Sequence, residues 1–338
     1  MPVPMEHALP VVAPVVAAGP LLSICVLTYR RPALLARALR SIGLANLPPG
    51  VEILVSDNAP ATEPEAEAVA RATLAGCPPA QWRYDRNPPG GTVLSNTSHC
   101  LARARGEYLY VLHDDDYLLP QGLALLLREL RTGPGRREVL LFGVRLVTLE
   151  QRILRHQDVG RAGYLPPAAA LRRVLTNSSL VRMPAIVASR RAYAEHGPLD
   201  IAQEGTFDTD TWAHFFGRYG VWLVAERLAA YTIHEGALTS RLFTPHTIGL
   251  LRRLFVKARG LGLLSETELA LAQSRFLHQF VLAGIYRALR RRDWAGARQA
   301  LALLRDSELR QLPVPMPWRP VRWAFGRLAT SALVCQLP

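Results

Sequence analysis

Short apolar runs alternate with segments of helical periodicity through the first third of the chain. Apolar runs of strand length occupy residues 21–28, 51–55, 82–84 and 108–112. Between these runs, apolar residues recur every three or four positions, which predicts helices at residues 32–42, 62–74 and 93–105. This alternating order is typical of a parallel, doubly wound sheet with helices on both faces. We therefore predict an α/β domain that begins at about Leu21.

The pattern becomes less regular in the second half of the chain and then turns almost wholly helical. Strand-like runs return at residues 138–148, 185–189, 221–224 and 228–233. Helices are predicted at residues 166–175, 211–219, 250–259, 266–290 and 294–304. We expect three parts, which are a flexible leader (residues 1–20), an α/β domain (residues 21–243, in halves 21–130 and 131–243) and a helical C-terminal extension (residues 244–338).

Polar clusters follow three of the predicted strands. The clusters are Thr28-Tyr29-Arg30, Ser56-Asp57-Asn58 and the run from His113 to Asp116. The carboxyl ends of parallel strands lie along one edge of a sheet, and ligands bind in the crevice beyond that edge. The three clusters are therefore predicted to meet in one site.

The run His113-Asp114-Asp115-Asp116 carries the most chemical information. Three consecutive carboxylates repel one another at the end of a buried strand, so the stability of the fold does not explain them. Hard cations such as Mg2+ and Mn2+ take carboxylate oxygens as ligands. The alternative is a solvated acidic turn that caps the next helix. The run alone is compatible with both a metal site and an acidic cap.

Composition describes a globular chain that favours anionic partners. Of the 338 residues, 49% are hydrophobic and 20% are charged, and the net charge is +13. Arginine carries nearly all of the positive charge, because Lys257 is the only lysine. This balance favours polyanions, anionic membrane surfaces or phosphorylated ligands. No aromatic-interleaved basic patch of the RNA-binding kind is present, so we expect no specific nucleic-acid partner.

Cysteine usage and hydropathy bear on the cellular location. The four cysteines are widely scattered, which is typical of a reducing compartment. No run reaches the roughly 18 apolar residues of a membrane-spanning helix, and prolines interrupt the apolar N-terminal stretch. We therefore expect a cytoplasmic protein.

The segment of residues 313–338 combines tryptophans with arginines. A basic helix with tryptophans suits a membrane interface, here the inner face of the plasma membrane. The alternative is a C-terminal helix that packs its aromatic residues on the domain.

Two common nucleotide-binding motifs are absent. The first strand is followed by TYRRP, which holds no glycine, so the dinucleotide fingerprint is missing. The phosphate-binding pattern GxxxxGK[ST] is missing as well. An ordinary dehydrogenase or ATPase is therefore not expected.

Four motifs, in this order and with similar spacing, resemble the family 2 glycosyltransferases, which are inverting enzymes with the Rossmann-like GT-A fold. The motifs lie within residues 22–240 and read ICVLTYRRPALLARALRSI, VEILVSDNA, ARGEYLYVLHDDDYLLP and FDTDTW followed by GVWLVAERLAAYTIHEG. The resemblance implies a mixed sheet flanked by helices. It also assigns nucleotide binding to residues 21–130 and acceptor binding to residues 131–243.

The resemblance implies donor-side roles for five residues. Thr28 and Tyr29 match a pair near the nucleobase, and Asp57 takes the position that recognises uracil. We expect Arg30 to contact phosphates and Asp114 to contact the nucleotide sugar. The alternatives are ordinary strand-end packing for Tyr29 and a helix N-cap for Asp57.

The resemblance also implies a divalent metal, Mn2+ or Mg2+. Asp115 matches the last aspartate of the family's Asp-x-Asp motif, and Asp116 is expected to assist. His113 departs from the family, because many members carry the first aspartate at that position. Histidine also ligates Mn2+, so His113 stays a candidate ligand. His234 matches a histidine near the metal and the diphosphate.

A catalytic base completes the implied site. Asp208 matches the family position, and Asp210 is the second choice. We expect one of the two to cap the helix that is predicted to start at about Thr211.

The function implied by the resemblance is transfer of a hexose-type sugar from a nucleotide donor, UDP-linked, to a hydroxyl of a glycan or lipid-linked acceptor, as in polysaccharide biosynthesis. Three alternatives remain. A sugar-1-phosphate nucleotidyltransferase would need a glycine-rich basic loop after the first strand, where TYRRP stands. A non-catalytic nucleic-acid-binding protein leaves the three aspartates unexplained. A metal-dependent phosphohydrolase built on His113-Asp114 would need further histidines on helices.

Overall fold

The computed structural model describes residues 9–14, 19–43, 47–88, 90–132, 137–234, 236, 242–305 and 307–330. It forms two compact units. The first contains Met1–Leu165, Val181–Phe207 and Val221–Ile233, and the second contains Pro166–Leu180, Asp208–Gly220 and His234–Pro338. Part of the predicted leader falls within the described residues, where Val12 is 6% exposed and packs into the first unit. Residues 1–8 and 15–18 of the leader lie outside the described residues.

One mixed sheet of ten strands forms the first unit. The strands are β1 (Leu22–Thr28), β2 (Val51–Asp57), β3 (Trp82–Arg86), β4 (Tyr108–His113), β5 (Tyr117–Leu118), β6 (Val139–Val147), β7 (Ile153–Gln157), β8 (Gly163–Leu165), β9 (Ile186–Ser189) and β10 (Val221–Thr232). Their main order is β3-β2-β1-β4-β9-β6-β10-β5, with β7 on β6 and β8 on β10. Strands β1 to β4 pair in parallel and β9 runs antiparallel to both of its neighbours.

Helices follow the strands of the first unit and then dominate the second. They are α1 (Pro32–Ser41), α2 (Glu65–Leu74), α3 (Val93–Arg103), α4 (Gly122–Arg131), α5 (Pro167–Leu175), α6 (Arg190–His196), α7 (Phe207–Tyr219), α8 (Pro245–Gly260), α9 (Glu266–Arg290), α10 (Trp294–Leu303), α11 (Ser307–Gln311) and α12 (Arg319–Thr330). No described helix has the length and apolar character needed to cross a membrane.

Burial on both faces explains the apolar runs of the central strands. Every residue of β1 is buried. Ile24 and Val26 pack with α1 and α2 in one core cluster, whereas Cys25 and Leu27 pack with α3 in a second cluster. A strand covered on both sides needs an almost continuous apolar sequence. The buried run therefore brings the polar residues that follow it to the edge of the sheet.

Helix α9 is the longest helix of the second unit. Ser265 caps its first turn, since its hydroxyl accepts from the Glu268 amide while the Glu268 side chain accepts from the Ser265 amide. This reciprocal capping box satisfies two amides that a helix start leaves unpaired. The predicted span of residues 266–290 matches the observed helix.

The structure corrects several predicted boundaries. The two strands predicted at residues 221–224 and 228–233 form the single strand β10, which has register shifts between Val224 and Ala229. A β-bulge places an extra residue in one strand and so shifts the alternation of buried and exposed side chains. In the sequence, this shift looks like the end of one strand and the start of another. Strands β5, β7 and β8 are not predicted, because β5 and β8 are very short and β7 is exposed along nearly its whole length.

Candidate functional site

The carboxyl ends of β1 and β4 lie side by side and hold the acidic turn of residues 113–116. The Asp114 amide continues the sheet pairing by donating to the Leu27 carbonyl at 3.0 Å, and the Asp116 amide closes the turn on the His113 carbonyl at 3.0 Å. The backbone of the turn is thus fixed by β1. Its three carboxylates point to three different sets of partners.

Asp114 is joined to the end of β1. Thr28 Oγ1 donates to Asp114 Oδ2 at 2.8 Å, and the Tyr29 amide reaches the same oxygen at 3.4 Å. Asp114 is only 4% exposed. Burial, followed by the charge of Asp115, raises the pKa of Asp114 to about 6. Two of the predicted clusters, Thr28-Tyr29 and the acidic turn, therefore meet as expected.

Asp115 carries the most exposed carboxylate of the turn and is paired with an arginine. Arg31 Nη1 donates to Asp115 Oδ2 at 3.0 Å and lies 3.4 Å from Asp114 Oδ1. Arg37, on α1, donates from Nη2 to the Asp115 carbonyl at 2.6 Å, and its guanidinium lies 5.0 Å from the centre of the Tyr117 ring. Two arginines thus hold the side chain and the backbone of Asp115.

Asp116 points away from solvent. It is 1% exposed, and its Oδ1 accepts from the amide of Thr232, at the end of β10, at 2.7 Å. Burial raises the pKa of Asp116 well above its usual value. This carboxylate therefore ties the turn to β10.

His113 closes the strand with a partly enclosed ring. Among the described residues, its Nε2 atom is buried without a hydrogen-bond partner. Burial lowers the pKa of His113, so the neutral imidazole is favoured. A ring nitrogen that carries a lone pair and makes no hydrogen bond could serve as a ligand to a metal ion.

Asp57 lies at the end of β2 in a closed network. Its Oδ1 accepts from the Ala59 amide at 2.8 Å, and its Oδ2 accepts from the Tyr84 hydroxyl at 2.5 Å and from Arg86 Nη1 at 3.4 Å. Asp57 is fully buried, and burial also raises the pKa of Tyr84. The carboxylate holds the turn after β2 in place through these three protein donors.

The residues that follow Thr28 turn in different directions. Tyr29 is 49% exposed, and the Arg30 guanidinium lies over its ring at 5.1 Å from the ring centre. Arg30 adopts a positive φ of 55° and forms an ion pair with Glu63 at 2.5 Å. Arg31 reaches the acidic turn, and the phosphate contact expected for Arg30 stays a prediction.

Three buried amides support the strand ends from below. Asn87 Nδ2 donates to Asn96 Oδ1 at 2.6 Å and to Asn58 Oδ1 at 3.1 Å. Asn96 Nδ2 in turn donates to the Ser56 carbonyl at 3.2 Å and lies 3.4 Å from the Thr28 carbonyl. Because all of these groups are buried, each lost bond would leave an unsatisfied polar atom. The network fixes the ends of β1 and β2 relative to α3.

The acidic turn fits a metal ion that is bound together with a diphosphate. No three histidine, cysteine, aspartate or glutamate side chains in the described part of the chain form a group that could hold a metal alone. The Asp115 side chain is 14% exposed, compared with 5% for Asp114. Mg2+ is usually held by one or two carboxylates together with substrate phosphates and water. Asp115 suits this mode, whereas the bonded Asp116 does not.

The two candidate bases lie in the first turn of α7, within the second unit. The helix starts at Phe207, four residues before the predicted start, so neither aspartate precedes the helix as its cap. Asp208 is half-buried, and its Oδ1 accepts from the Thr209 amide at 2.6 Å. Asp210 is 7% exposed and forms an ion pair with Lys257 at 2.7 Å. The Asp210 carboxylate is thus held by a residue of α8.

His234 is half-buried and lies two residues after Thr232 in the chain. Thr232 is the residue that binds Asp116. The role predicted for His234 at a metal or diphosphate stays a prediction.

Three residues of this site are not singled out by the sequence. Arg31 and Arg37 look like any other arginines of an arginine-rich chain, and Thr232 lies within the motif GVWLVAERLAAYTIHEG without a role of its own. Only the position of Arg31, directly after the Thr28-Tyr29-Arg30 cluster, gave a signal. The other two depend on contacts across the sheet.

Comparison with known proteins gives one family match. The sequence model described as Glycosyl transferase family 2 matches residues 23–196, just over half of the 338 residues. Among curated proteins, no sequence matches this chain significantly.

Solved structures share the fold at low identity. TarS of S. aureus superposes with a TM-score of 0.59 at 15% identity, over 91% of this chain and 53% of the TarS chain. This chain therefore spans about half the length of that TarS chain. A shorter TarS chain in complex with UDP-GlcNAc gives a TM-score of 0.57 at 16% identity, over 91% of this chain and 88% of that one.

A mannosyltransferase from Pyrobaculum calidifontis, solved with GDP-Man and Mn2+, gives a TM-score of 0.53 at 16% identity. The match covers 95% of this chain and 88% of that one. The likeness at these identities concerns the fold alone. It confirms the predicted mixed-sheet GT-A fold with a helical C-terminal part.

Proposed function

Because the chain belongs to glycosyl transferase family 2, we propose that it transfers a sugar from a UDP-linked donor to a hydroxyl group of a glycan or lipid-linked acceptor. The transfer proceeds with inversion at the anomeric carbon and requires a divalent metal, Mn2+ or Mg2+. The family match favours this reaction over nucleotidyl transfer, phosphate hydrolysis and non-catalytic binding of nucleic acid.

One observation carries the proposal. Thr28 Oγ1 donates to Asp114 Oδ2 at 2.8 Å, so the end of β1 and the acidic turn lie side by side. A nucleoside diphosphate needs an aromatic or polar wall for its base and a cationic or metal site for its phosphates. Tyr29 and the Arg31–Asp115 pair supply these two features on the same edge of the sheet.

The donor-side residues have distinct tasks in this proposal. The exposed ring of Tyr29 stacks on the base. The turn held by Asp57 forms the floor beneath the uracil, with the Asp57 carboxylate as its acceptor. Asp114 is oriented by Thr28 and contacts the donor sugar or its ribose.

Asp115 would hold the metal ion, with His113 and His234 as further candidate ligands and Asp116 as a support for the turn. When bound, a divalent cation at Asp115 supplies charge that neutralises the departing diphosphate. Arg31 is freed from Asp115 in that state and becomes a donor to the phosphates, with Arg30 farther out. An arginine suits this task because its planar fork matches phosphate oxygens.

Asp208 is the catalytic base of the proposal. An inverting transfer is a single displacement, in which the acceptor hydroxyl loses its proton to a base as its oxygen attacks the anomeric carbon. Asp208 is half-buried and hydrogen-bonded through one oxygen to the helix backbone. Asp210 is engaged by Lys257 and serves the packing of α7 and α8.

A panel of UDP-, GDP- and dTDP-sugars tests the reaction without knowledge of the acceptor. We expect slow release of UDP from one UDP-sugar by hydrolysis, lost with EDTA and restored by Mn2+ or Mg2+. Proton NMR of the sugar product at early times reports the anomeric configuration. Retention, or release that continues in EDTA, would contradict the proposal.

A further inference from the structure

Helix α12 has an aromatic and basic face that is exposed among the described residues. We call it the α12 face and define it by Arg319, Trp323 and Arg327, which recur every four residues and so share one side of the helix. Trp323 is 64% exposed. Both arginines are exposed as well, and the Arg327 guanidinium lies 4.8 Å from the centre of the Trp323 ring.

The opposite side of α12 is anchored, which fixes the direction of the α12 face. Arg322 donates to His278 Nε2, on α9, and its Nη1 lies 3.5 Å from the Leu309 carbonyl. The His278 ring donates from Nδ1 to the Ser274 carbonyl at 2.8 Å, so Nε2 carries the lone pair that accepts from Arg322. Trp318 and Phe325 are half-buried. These residues anchor one side of α12, and Trp323 lies on the exposed side.

The charge of the segment selects the partner. Residues 313–338 contain three arginines and no aspartate or glutamate. A tryptophan between arginines on one helix face is the composition of helices that lie in the headgroup region of anionic membranes. Docking in an apolar protein groove would bury the two arginines without partners. Docking on a second copy of this face would bring like charges together.

We propose that the α12 face docks on an anionic lipid bilayer, with Trp323 inserted at the headgroup level and Arg319 and Arg327 on lipid phosphates. The Trp323–Arg327 stack keeps the cation beside the ring at that level. Docking goes beyond sugar transfer and does not depend on it. It would bring the chain to the surface where lipid-linked acceptors reside.

Vesicle co-sedimentation of the full chain tests the proposal. We expect binding to phosphatidylcholine vesicles that contain phosphatidylglycerol, little binding to pure phosphatidylcholine, and weakening with salt. Trp323→Ser should lower the partition coefficient roughly tenfold, because an aromatic anchor is lost. The double variant Arg319→Glu, Arg327→Glu should remove the preference for anionic lipid.

Trp294→Ser is the matched control, since Trp294 is 37% exposed on α10 and outside the α12 face. It should bind vesicles as the parent does, and circular dichroism should show all variants folded. Equal binding by the parent and the Trp323 variant, or no binding by the parent, would overturn the proposal. Dimerisation that depends on Trp323, without lipid binding, would assign the face to a second copy instead. UDP-sugar hydrolysis should be unchanged in every variant, which separates docking from catalysis.

Discussion

Arg31 forms an ion pair with Asp115, in which Nη1 donates to Asp115 Oδ2 at 3.0 Å. The same nitrogen lies 3.4 Å from Asp114 Oδ1, so one guanidinium serves two aspartates. A metal ion at Asp115 would have to compete with this cation. The guanidinium therefore neutralises part of the negative charge of both carboxylates.

Removing this arginine should separate metal binding from nucleotide binding. Arg31→Gln should tighten Mn2+ binding by the free protein roughly fivefold, because a partly exposed cation no longer competes for Asp115. The same variant should weaken binding of UDP with Mn2+, since a phosphate donor is lost. Titration calorimetry measures both affinities.

Arg30→Gln is the control for this prediction, because Arg30 pairs with Glu63. It should leave the Mn2+ affinity unchanged. Identical Mn2+ affinities in the parent and Arg31→Gln would show that the Arg31–Asp115 ion pair does not weaken Mn2+ binding.

Asp116 should behave as a positioning residue. Asp116→Asn keeps an oxygen for the Thr232 amide, so Mn2+ binding and stability should stay close to those of the parent. Asp116→Ala leaves that buried amide unpaired and should cost about 1–3 kcal/mol of stability. Urea unfolding measures the difference. Loss of metal affinity in a folded Asp116→Asn variant would instead make Asp116 a metal ligand.

The two aspartates of α7 should differ sharply in their effects on activity. Asp208→Asn should bind the donor normally and lose at least about a hundredfold in kcat, because the base is gone. Asp210→Asn should keep most activity and lose about 1 kcal/mol or less of stability, since Lys257 is 47% exposed and its ion pair is screened. The opposite ranking of the two variants would transfer the role of base to Asp210.

His278 should make the anchoring of α12 sensitive to acid. Burial, together with the charge of Arg322, lowers the pKa of His278 below its ordinary value. The unfolded chain then binds the proton more tightly than the folded one, so stability is full above about pH 6.5 and falls as the pH drops through the lowered value. The melting temperature of the parent should fall more than that of His278→Gln between about pH 7.5 and pH 5. Parallel pH profiles would exclude the effect.

The residues that form the site were predictable to the extent that local pattern determines them. The buried runs of β1 and β4 predict where the strands end, and so they predict that Thr28 and the acidic turn meet. The sequence does not tell whether Arg30 or Arg31 contacts the acidic turn. The backbone turns at Arg30, which has a positive φ that no sequence pattern indicates. The partner of Asp116 lies 116 residues away in the chain. The contact depends on the pairing of β5 with β10. Strand β5 has only two residues, which is too short for a sequence pattern to predict.

The partners of the acidic run could not be predicted for a related reason. A turn follows β4, and it directs Asp114 to Thr28 and Asp116 to Thr232. Only Asp115 remains at the edge with its carboxylate partly exposed. The turn thus divides one acidic run among three sets of partners.

Titration of UDP into the parent and into Asp115→Asn, each with and without Mn2+, tests the central claim most directly. The account predicts that Mn2+ strengthens UDP binding by the parent at least about tenfold, that is by about 1.4 kcal/mol. In Asp115→Asn this gain should disappear while metal-free binding of UDP is preserved, because Tyr29 and the turn held by Asp57 are untouched. An undiminished gain in the Asp115 variant, or equal UDP affinity with and without Mn2+ in the parent, would contradict a metal-assisted diphosphate site at the acidic turn.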